Sequence, residues 1–315
     1  MTNVFTVVDC EYDTVAHSMR AGKEMFMKVL ISTDTSCLCS YDVFNNYDIS
    51  LFPLNIIIDG EEYLDGVTIK QDEVKEAMRA GRSIKTSTPP LGEVIEYFEK
   101  LLEKGYDHII HFTISGKLSS MNELFTNVAK QNFEGKVTVI DSNAVSFIML
   151  SQVFTAYDII ASGGSVEDVV KANKEREEGY VCFIPENLTA LKNGGRISPT
   201  IALIGNTIGI KPVIIMKDGA LEKEGMTRRV RKTIMEKIDE KKNEFPTDKF
   251  DYTLVVFDVE QEKIDYIKNY IKEVLGVDAV IGSIPVNVCA HCGPGTVGLV
   301  VAPRINGKSV TEFIG

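Results

Sequence analysis

His108-Ile109-Ile110-His111-Phe112-Thr113-Ile114 leads into a segment where Met121, Leu124, Phe125 and Val128 recur at helical spacing. Val137-Thr138-Val139-Ile140 follows and closes on Asp141-Ser142. The first run is largely apolar, as expected of a strand buried on both faces. The second repeats every three to four residues and reads as one face of a helix. The third is β-branched and ends in turn residues. Strand, helix and strand in that order require a crossover, and hence a parallel pair.

The alternation continues outward from this unit. Lys28-Val29-Leu30-Ile31-Ser32-Thr33 reads as a strand ending at Asp34-Thr35-Ser36. Leu54-Asn55-Ile56-Ile57-Ile58 reads as another, closed by a turn at Asp59-Gly60. After Pro90, the residues Val94, Ile95, Phe98, Leu101 and Leu102 line a helical face that Gly105 stops. A further helix is expected over 145–161. In parallel sheets ligands bind beyond the carboxyl ends of the strands. Here those ends carry Asp34, Thr35, Ser36, Ser115, Ser119, Asp141 and Ser142, a set rich in hydroxyls and poor in glycine.

Gly163-Gly164-Ser165 and a charged helix over 167–178 read as a bridge to a second unit. That unit opens with Tyr180-Val181-Cys182-Phe183-Ile184. It continues with a hairpin turned at Asp218-Gly219, a basic helix from Arg228, a strand from Tyr252, a helix from Glu262 and two last strands. A chain of 315 residues also exceeds one ordinary core. The expected fold is two-domain α/β. An extension (1–26) precedes an N-terminal parallel-sheet, Rossmann-like domain (27–176) and a C-terminal α/β domain with a mixed sheet (177–315).

A net charge of −11 argues against a nucleic-acid partner, which calls for clustered Lys and Arg. No apolar run is long enough to span a bilayer. The start Met1-Thr2-Asn3-Val4-Phe5-Thr6 lacks the pattern of a signal peptide, so a cytoplasmic location is expected. The six cysteines then read as free thiols. Cys37, Cys39, Cys289 and Cys292 with His291 are a weaker candidate for zinc, because paired C-x-x-C units are missing.

Several motifs have competing readings. Gly293-x-Gly295-x-x-Gly298 matches a dinucleotide fingerprint, but Leu299-Val300-Val301 reads as a strand where a helix is required. Gly307-Lys308-Ser309 resembles a P-loop ending without its first glycine. His108 and His111, three apart on a strand, point to opposite faces and do not share a metal. Thr86-Ser87-Thr88-Pro89-Pro90 and Ser119-Ser120 read first as ordinary helix caps. Their second reading is an anion site of hydroxyls and helix amides. His291 lies in a Gly/Pro-rich loop, where structural and binding roles are both open. Arg196, after two glycines, is either a C-terminal helix cation or a ligand group. The basic run from Arg228 is either a solvated face or a docking patch. Asp65 is either a turn residue or a partner between domains.

Taken in order, these pieces resemble the DegV family of bacterial fatty-acid-binding proteins. The resemblance runs from Met27 onward. It rests on Ser32-Thr33-Asp34-Thr35-Ser36, Phe52-Pro53-Leu54, Tyr63-Leu64-Asp65-Gly66, Thr86-Ser87-x-Pro89 and Ile114-Ser115-x-x-Leu118-Ser119. It continues through Val139-Ile140-Asp141-Ser142, Gly194-Gly195-Arg196-Ile197-Ser198, Ile210-Lys211-Pro212, Asp218-Gly219 and His291-x-Gly293-Pro294-Gly295. It implies one long-chain fatty acid in a buried tunnel, with no other cofactor. The positions that hold the carboxylate in the family match Thr86 and Ser119, with Ser87 beside them and His291 near the head group. It also implies a carrier that presents the acid to a separate kinase subunit for acyl-phosphate formation, with Arg196 and Arg228 facing that partner. Three features depart from the family pattern. Ser120-Met121 replaces a Gly-Thr pair, Thr88 replaces an amide, and residues 1–26 have no counterpart. Met121 adds bulk at the head-group end. The alternative is an acyl-ester hydrolase with Ser119 as nucleophile and His291 as base, which lacks an orienting carboxylate and a nucleophile elbow.

Overall fold

The computed structural model describes residues 27–37, 41–186, 188–197 and 209–314. The extension (1–26), Cys10, Cys39 and Ser198 lie outside the described residues. Strands β1 (Val29–Asp34), β2 (Ile49–Phe52), β6 (His108–Thr113) and β7 (Val137–Asp141) form a four-stranded sheet in the order β2-β1-β6-β7. Every neighbouring pair is parallel, as the crossovers require. Side chains alternate across it. Leu30 and Ile109 pack with Phe98 and Phe125, whereas Ile31 and Ile110 pack with Val153 and Phe154. The first face is covered by α2 (Leu91–Glu103) and α3 (Met121–Asn132), and the second by α4 (Ser146–Ala161).

The Leu54–Ile58 run does not join this sheet. Its strand β3 (Asn55–Ile58) pairs antiparallel with β4 (Glu61–Leu64) and β5 (Ile84–Ser87), forming a separate three-stranded sheet. Asp59 and Gly60 both have positive φ, the conformation of a tight two-residue hairpin. That turn reverses the chain and rules out a crossover there. On its outer side β1 pairs instead with β2, a short run, Ile49-Ser50-Leu51-Phe52, with little sequence signal. Helix α1 (Gln71–Arg79) fills the connection between β4 and β5.

The second unit is a six-stranded mixed sheet of β8 (Tyr180–Ile184), β9 (Lys211–Lys217), β10 (Ala220–Thr227), β11 (Phe250–Phe257), β12 (Val280–Ser283) and β13 (Thr296–Pro303). Its order is β10-β9-β8-β13-β11-β12, antiparallel except between β11 and β12. The β9–β10 hairpin turns at Asp218-Gly219 as expected, with positive φ at both residues. Helices α7 (Val230–Lys241) and α8 (Gln261–Leu275) cover one face, while Val181, Val255 and Val300 on the other pack with α4. The shorter helices are α5 (Val166–Glu175), α6 (Thr189–Gly194), α9 (Val286–Cys292) and α10 (Thr311–Ile314). The basic helix begins at Val230. Arg228 precedes it in the turn after β10 and is exposed.

Helix α4 lies between the two sheets, which explains why it is apolar all round. Phe147 through Leu150, Val153 and Phe154 are all buried. Gly163-Gly164-Ser165 is not a free linker. Ser165 caps α5 reciprocally with Asp168, and Val169 packs α5 onto the same core. Among the described residues, no helix is long and apolar enough to cross a membrane.

Candidate functional site

A cavity of about 120 Å³ lies between the two sheets. That is far more than the space one trapped water needs. Its body is aliphatic, with Val181, Val255 and Val300 from the mixed sheet facing Ile114, Met121 and Val145. The expected bulk of Met121 is present, because it is buried in the wall. One end is polar and carries Thr86, Ser87, Ser119, Arg196 and His291.

Four elements bring those groups together. Thr86 and Ser87 end β5, extended rather than capping α2. Pro89 and Pro90 disfavour helix in the residues before them, so the strand persists and Pro90 becomes the cap. Ser120 precedes α3 without a side-chain cap, and its hydroxyl pairs instead with Thr88 Oγ1 at 2.9 Å. Ser119 Oγ accepts from Met121 N at 3.3 Å. The capping reading therefore fails for Thr86 and Ser87.

His291 is not in a loop. It stands in the last turn of α9, whose start is marked by Pro285. Its Nε2 lies 2.9 Å from Thr86 Oγ1. Its Nδ1 is buried with no partner among the described residues. Burial, then the nearby Arg196 guanidinium, pushes its pKa down to about 4, so the ring is neutral at physiological pH. A neutral imidazole has one N–H. A buried N–H without an acceptor is rarer than a bare acceptor, so the proton is assigned to Nε2. Thr86 then accepts from His291, and its own O–H remains free to donate into the cavity.

Gly194 lets the ring stand where it does, because a Cβ there would overlap Nδ1. Gly195, left-handed at φ 68°, ends α6, and Arg196 turns back. Arg196 Nε donates to Leu118 O at 3.2 Å, and its Nη1 donates to Gly194 O. It acts as both a helix-end cation and a tie to the loop carrying Ser119. Arg228 is not among the cavity-lining residues.

Behind the cavity, Asp65 resolves as a partner between the units. It is buried and accepts from Asn287 N at 3.2 Å, at the start of α9. Burial pushes its carboxyl up to about 7 against the pull of Thr35 and Asn287. Asn287 Nδ2 donates to Thr35 Oγ1 and to Ser36 Oγ, both at 3.2 Å. Asp34 accepts from Ser36 N and Ile114 N. The Asp34-Thr35-Ser36 strand end thus anchors the helix that presents His291. Ser115 Oγ makes a second tie, donating to Gly219 O at 2.7 Å. Sequence reasoning missed Asn287 and Ser146. Pro285 was the available signal for the first.

The competing chemistries are not assembled. His291 Nε2 contacts Thr86, Ser119 takes its bond from Met121 N, and among the described residues no carboxylate orients Nδ1. Cys37 and Cys289 donate to Asp34 O and Ile284 O, and no cluster of three metal-ligating side chains occurs among the described residues. Gly298 lies within β13, so the glycine fingerprint does not open a helix. His108 bonds Thr138, whereas His111 bonds Ser32 and stacks on Phe125.

Fold and site together define a two-unit α/β protein enclosing an apolar cavity with one hydrogen-bonding end. The chain belongs to the DegV family, whose model matches residues 28–304. A DegV domain-containing protein of Staphylococcus aureus is 32% identical, covering 88% of this chain and 99% of that one. A DegV family protein of Thermus thermophilus, described by its fatty-acid binding, superposes with a TM-score of 0.77 at 26% identity, over 88% of this chain and 100% of the other. A stearic-acid-binding protein of Eubacterium ventriosum gives a TM-score of 0.77 at 25% identity, over 87% and 98%.

Proposed function

We propose that this protein binds one long-chain fatty acid, with its chain in the cavity and its carboxylate at the Thr86–Ser119 end. The observation that carries this reading is a largely aliphatic cavity into which Thr86, Ser87, Ser119, Arg196 and His291 bring hydrogen-bonding groups, centred on the Thr86–His291 pair. Burying the chain gains about 0.8 kcal/mol per methylene. Burying a carboxylate costs several kcal/mol unless it is hydrogen-bonded. Thr86 O–H, with Ser119 and Ser87 beside it, supplies neutral donors that offset this cost. The fatty-acid binding of the Thermus and Eubacterium proteins supports the same reading. Mass spectrometry of small molecules released on denaturation tests it. One equivalent of a long-chain fatty acid is expected. A protein that is empty and takes up none overturns it.

The protein is further proposed to be a carrier, not an enzyme, presenting the acid to a separate kinase subunit that makes the acyl phosphate. Arg196 stands at the head-group end and Arg228 is exposed, available to a negatively charged partner or phosphate. The test is acyl-phosphate formation from ATP by a kinase subunit, with and without this protein. Equal product in both reactions removes the carrier role.

A further inference from the structure

We propose that the first turn of α4, with the Ser146 hydroxyl, is a carboxylate-binding site that completes the head-group end beside Ser119. The proposal rests on the fatty-acid reading above and adds a binding residue to it. Ser146 opens α4, lines the cavity and is 6% exposed. Its Oγ is buried with no hydrogen-bond partner among the described residues. Buried polar groups are almost always satisfied, so an unpaired hydroxyl on a cavity wall marks a contact that the ligand supplies. The helix behind it points to the same kind of ligand. The first N–H groups of a helix have no partner within it. Helix α4 is 16 residues long, its cap position is Val145, whose side chain cannot accept, and its first turn holds no acidic residue. Its positive end has no carboxylate of its own helix to answer it. No Asp or Glu is among the described residues that line the cavity. A hydroxyl beside free helix amides, with no acidic wall, suits an anion.

Two observations put this turn at the head. The first is the sheet edge it leaves. Strands β6 and β7 are parallel neighbours, paired at their ends through Thr113 and Asp141. The loop after β6 carries Ser119, and the loop after β7 leads into Ser146. These loops are bonded together. Ser115 N donates to Ala144 O at 3.0 Å, and Ser142 N donates to Thr113 O at 3.2 Å. Ser119 N donates back to Ser115 O at 3.2 Å, and Val145 packs in one cluster with Ile114 and Met121. The second is the register of the mixed sheet. Phe147 meets Gly282, which pairs with Val255. Val255 pairs with Gly298, and Gly298 pairs with Phe183. Phe183 packs with Leu191 and Ile197, on either side of the Arg196 turn. The start of α4 thus stands level with the head-group end. A carboxylate offers about four lone-pair sites on two oxygens, more than Thr86 and Ser119 can fill. The Ser146 O–H supplies a further neutral donor.

The test measures the dissociation constant of stearic acid for wild type, Ser146→Ala and Ser146→Gly. It adds the carbon NMR resonances of the bound acid, isotopically labelled at its carboxyl carbon or at mid-chain. Ser146 is left-handed, φ 57°, so glycine relaxes the backbone as it removes the hydroxyl, whereas alanine keeps the Cβ. Both variants are expected to bind about tenfold more weakly, the loss of one hydrogen bond to a charged group. The carboxyl resonance should move in both, and the mid-chain resonance should stay. Unchanged affinity in either variant overturns the proposal, as does a carboxyl resonance that keeps its wild-type position. If wild type binds no stearic acid, the fatty-acid reading itself falls and takes this one with it.

Discussion

The two ends of the cavity are built differently. The head draws one or two polar residues each from β5, the loop before α3, the end of α6 and the end of α9. The body draws aliphatic side chains from two sheet faces. Attraction in the body is non-directional and proportional to area. Attraction at the head is directional and fails when one partner moves. The body should therefore set the scale of affinity and tolerate change, while the head fixes orientation and does not.

The strongest way to break this contrast is to empty the head. Thr86→Ala with Ser119→Ala removes two donors to a carboxylate, at about 3 kcal/mol or more together, on the order of a hundredfold in affinity. Circular dichroism should stay unchanged, since both residues sit at the ends of their elements. Affinity within a few-fold of wild type would place the carboxylate elsewhere.

A gentler perturbation moves one head group without deleting it. Gly194→Ala places a Cβ on His291 Nδ1, so the ring must leave Thr86. The expected loss is about tenfold, because Thr86 loses the partner that aims its O–H at the carboxylate. Gly195→Ala is the control. It meets no atom within 4 Å but carries φ +68°, so it should cost about 1 kcal/mol of stability and leave binding intact. Equal loss of binding in both variants would show that α6, not the imidazole, matters.

The same contrast explains what the sequence could reveal. The body is made of regular elements, and periodicity exposes these. Strands β1, β6 and β7, helices α2 to α4 and the β9–β10 hairpin were legible, whereas β2 was not. The head is made where elements end, and there local signals mislead. Thr86 looked like a cap because prolines follow it, yet those prolines hold it extended. His291 looked like a loop residue because Gly293 to Gly295 follows it, yet α9 runs up to Cys292. The antiparallel β3–β4–β5 sheet was hidden because an apolar run does not state its partner. The ordered motif set pointed to Thr86, Ser119 and His291, and the fold brings all three to one cavity. Only their coordinates supplied the Thr86–His291 bond.

The frame behind the cavity titrates as well. Asp65, which holds the α9 start, has its carboxyl pushed up to about 7 from an ordinary value near 3.8. Between those values the native state binds more protons than the unfolded chain. Stability is thus fully present below about pH 4, falls as pH rises to about 7, and is flat beyond. Asp65→Asn keeps an acceptor for Asn287 N and cannot ionise. It should stabilise the protein by on the order of 1 kcal/mol at about pH 8, with the gain shrinking toward about pH 5. Urea midpoints at both pH values check this. A gain that grows on acidification would reverse the sign and remove Asp65 as the titrating group.

The smallest effect tests the body alone. Each methylene removed from a saturated acid should weaken binding about fourfold, the equivalent of about 0.8 kcal/mol. The slope should be the same in wild type and in the Thr86→Ala, Ser119→Ala pair, because distant independent contacts add. The two lines of log affinity against chain length should then be parallel, offset by the head-group loss. Converging lines would mean that the carboxylate contacts fix how deep the chain sits, so that head and body are one coupled site. A slope that vanishes above some length marks where the chain runs out of wall. Met121 is buried in the aliphatic wall, so Met121→Ala should move that break to longer acids if its bulk limits the space for the chain.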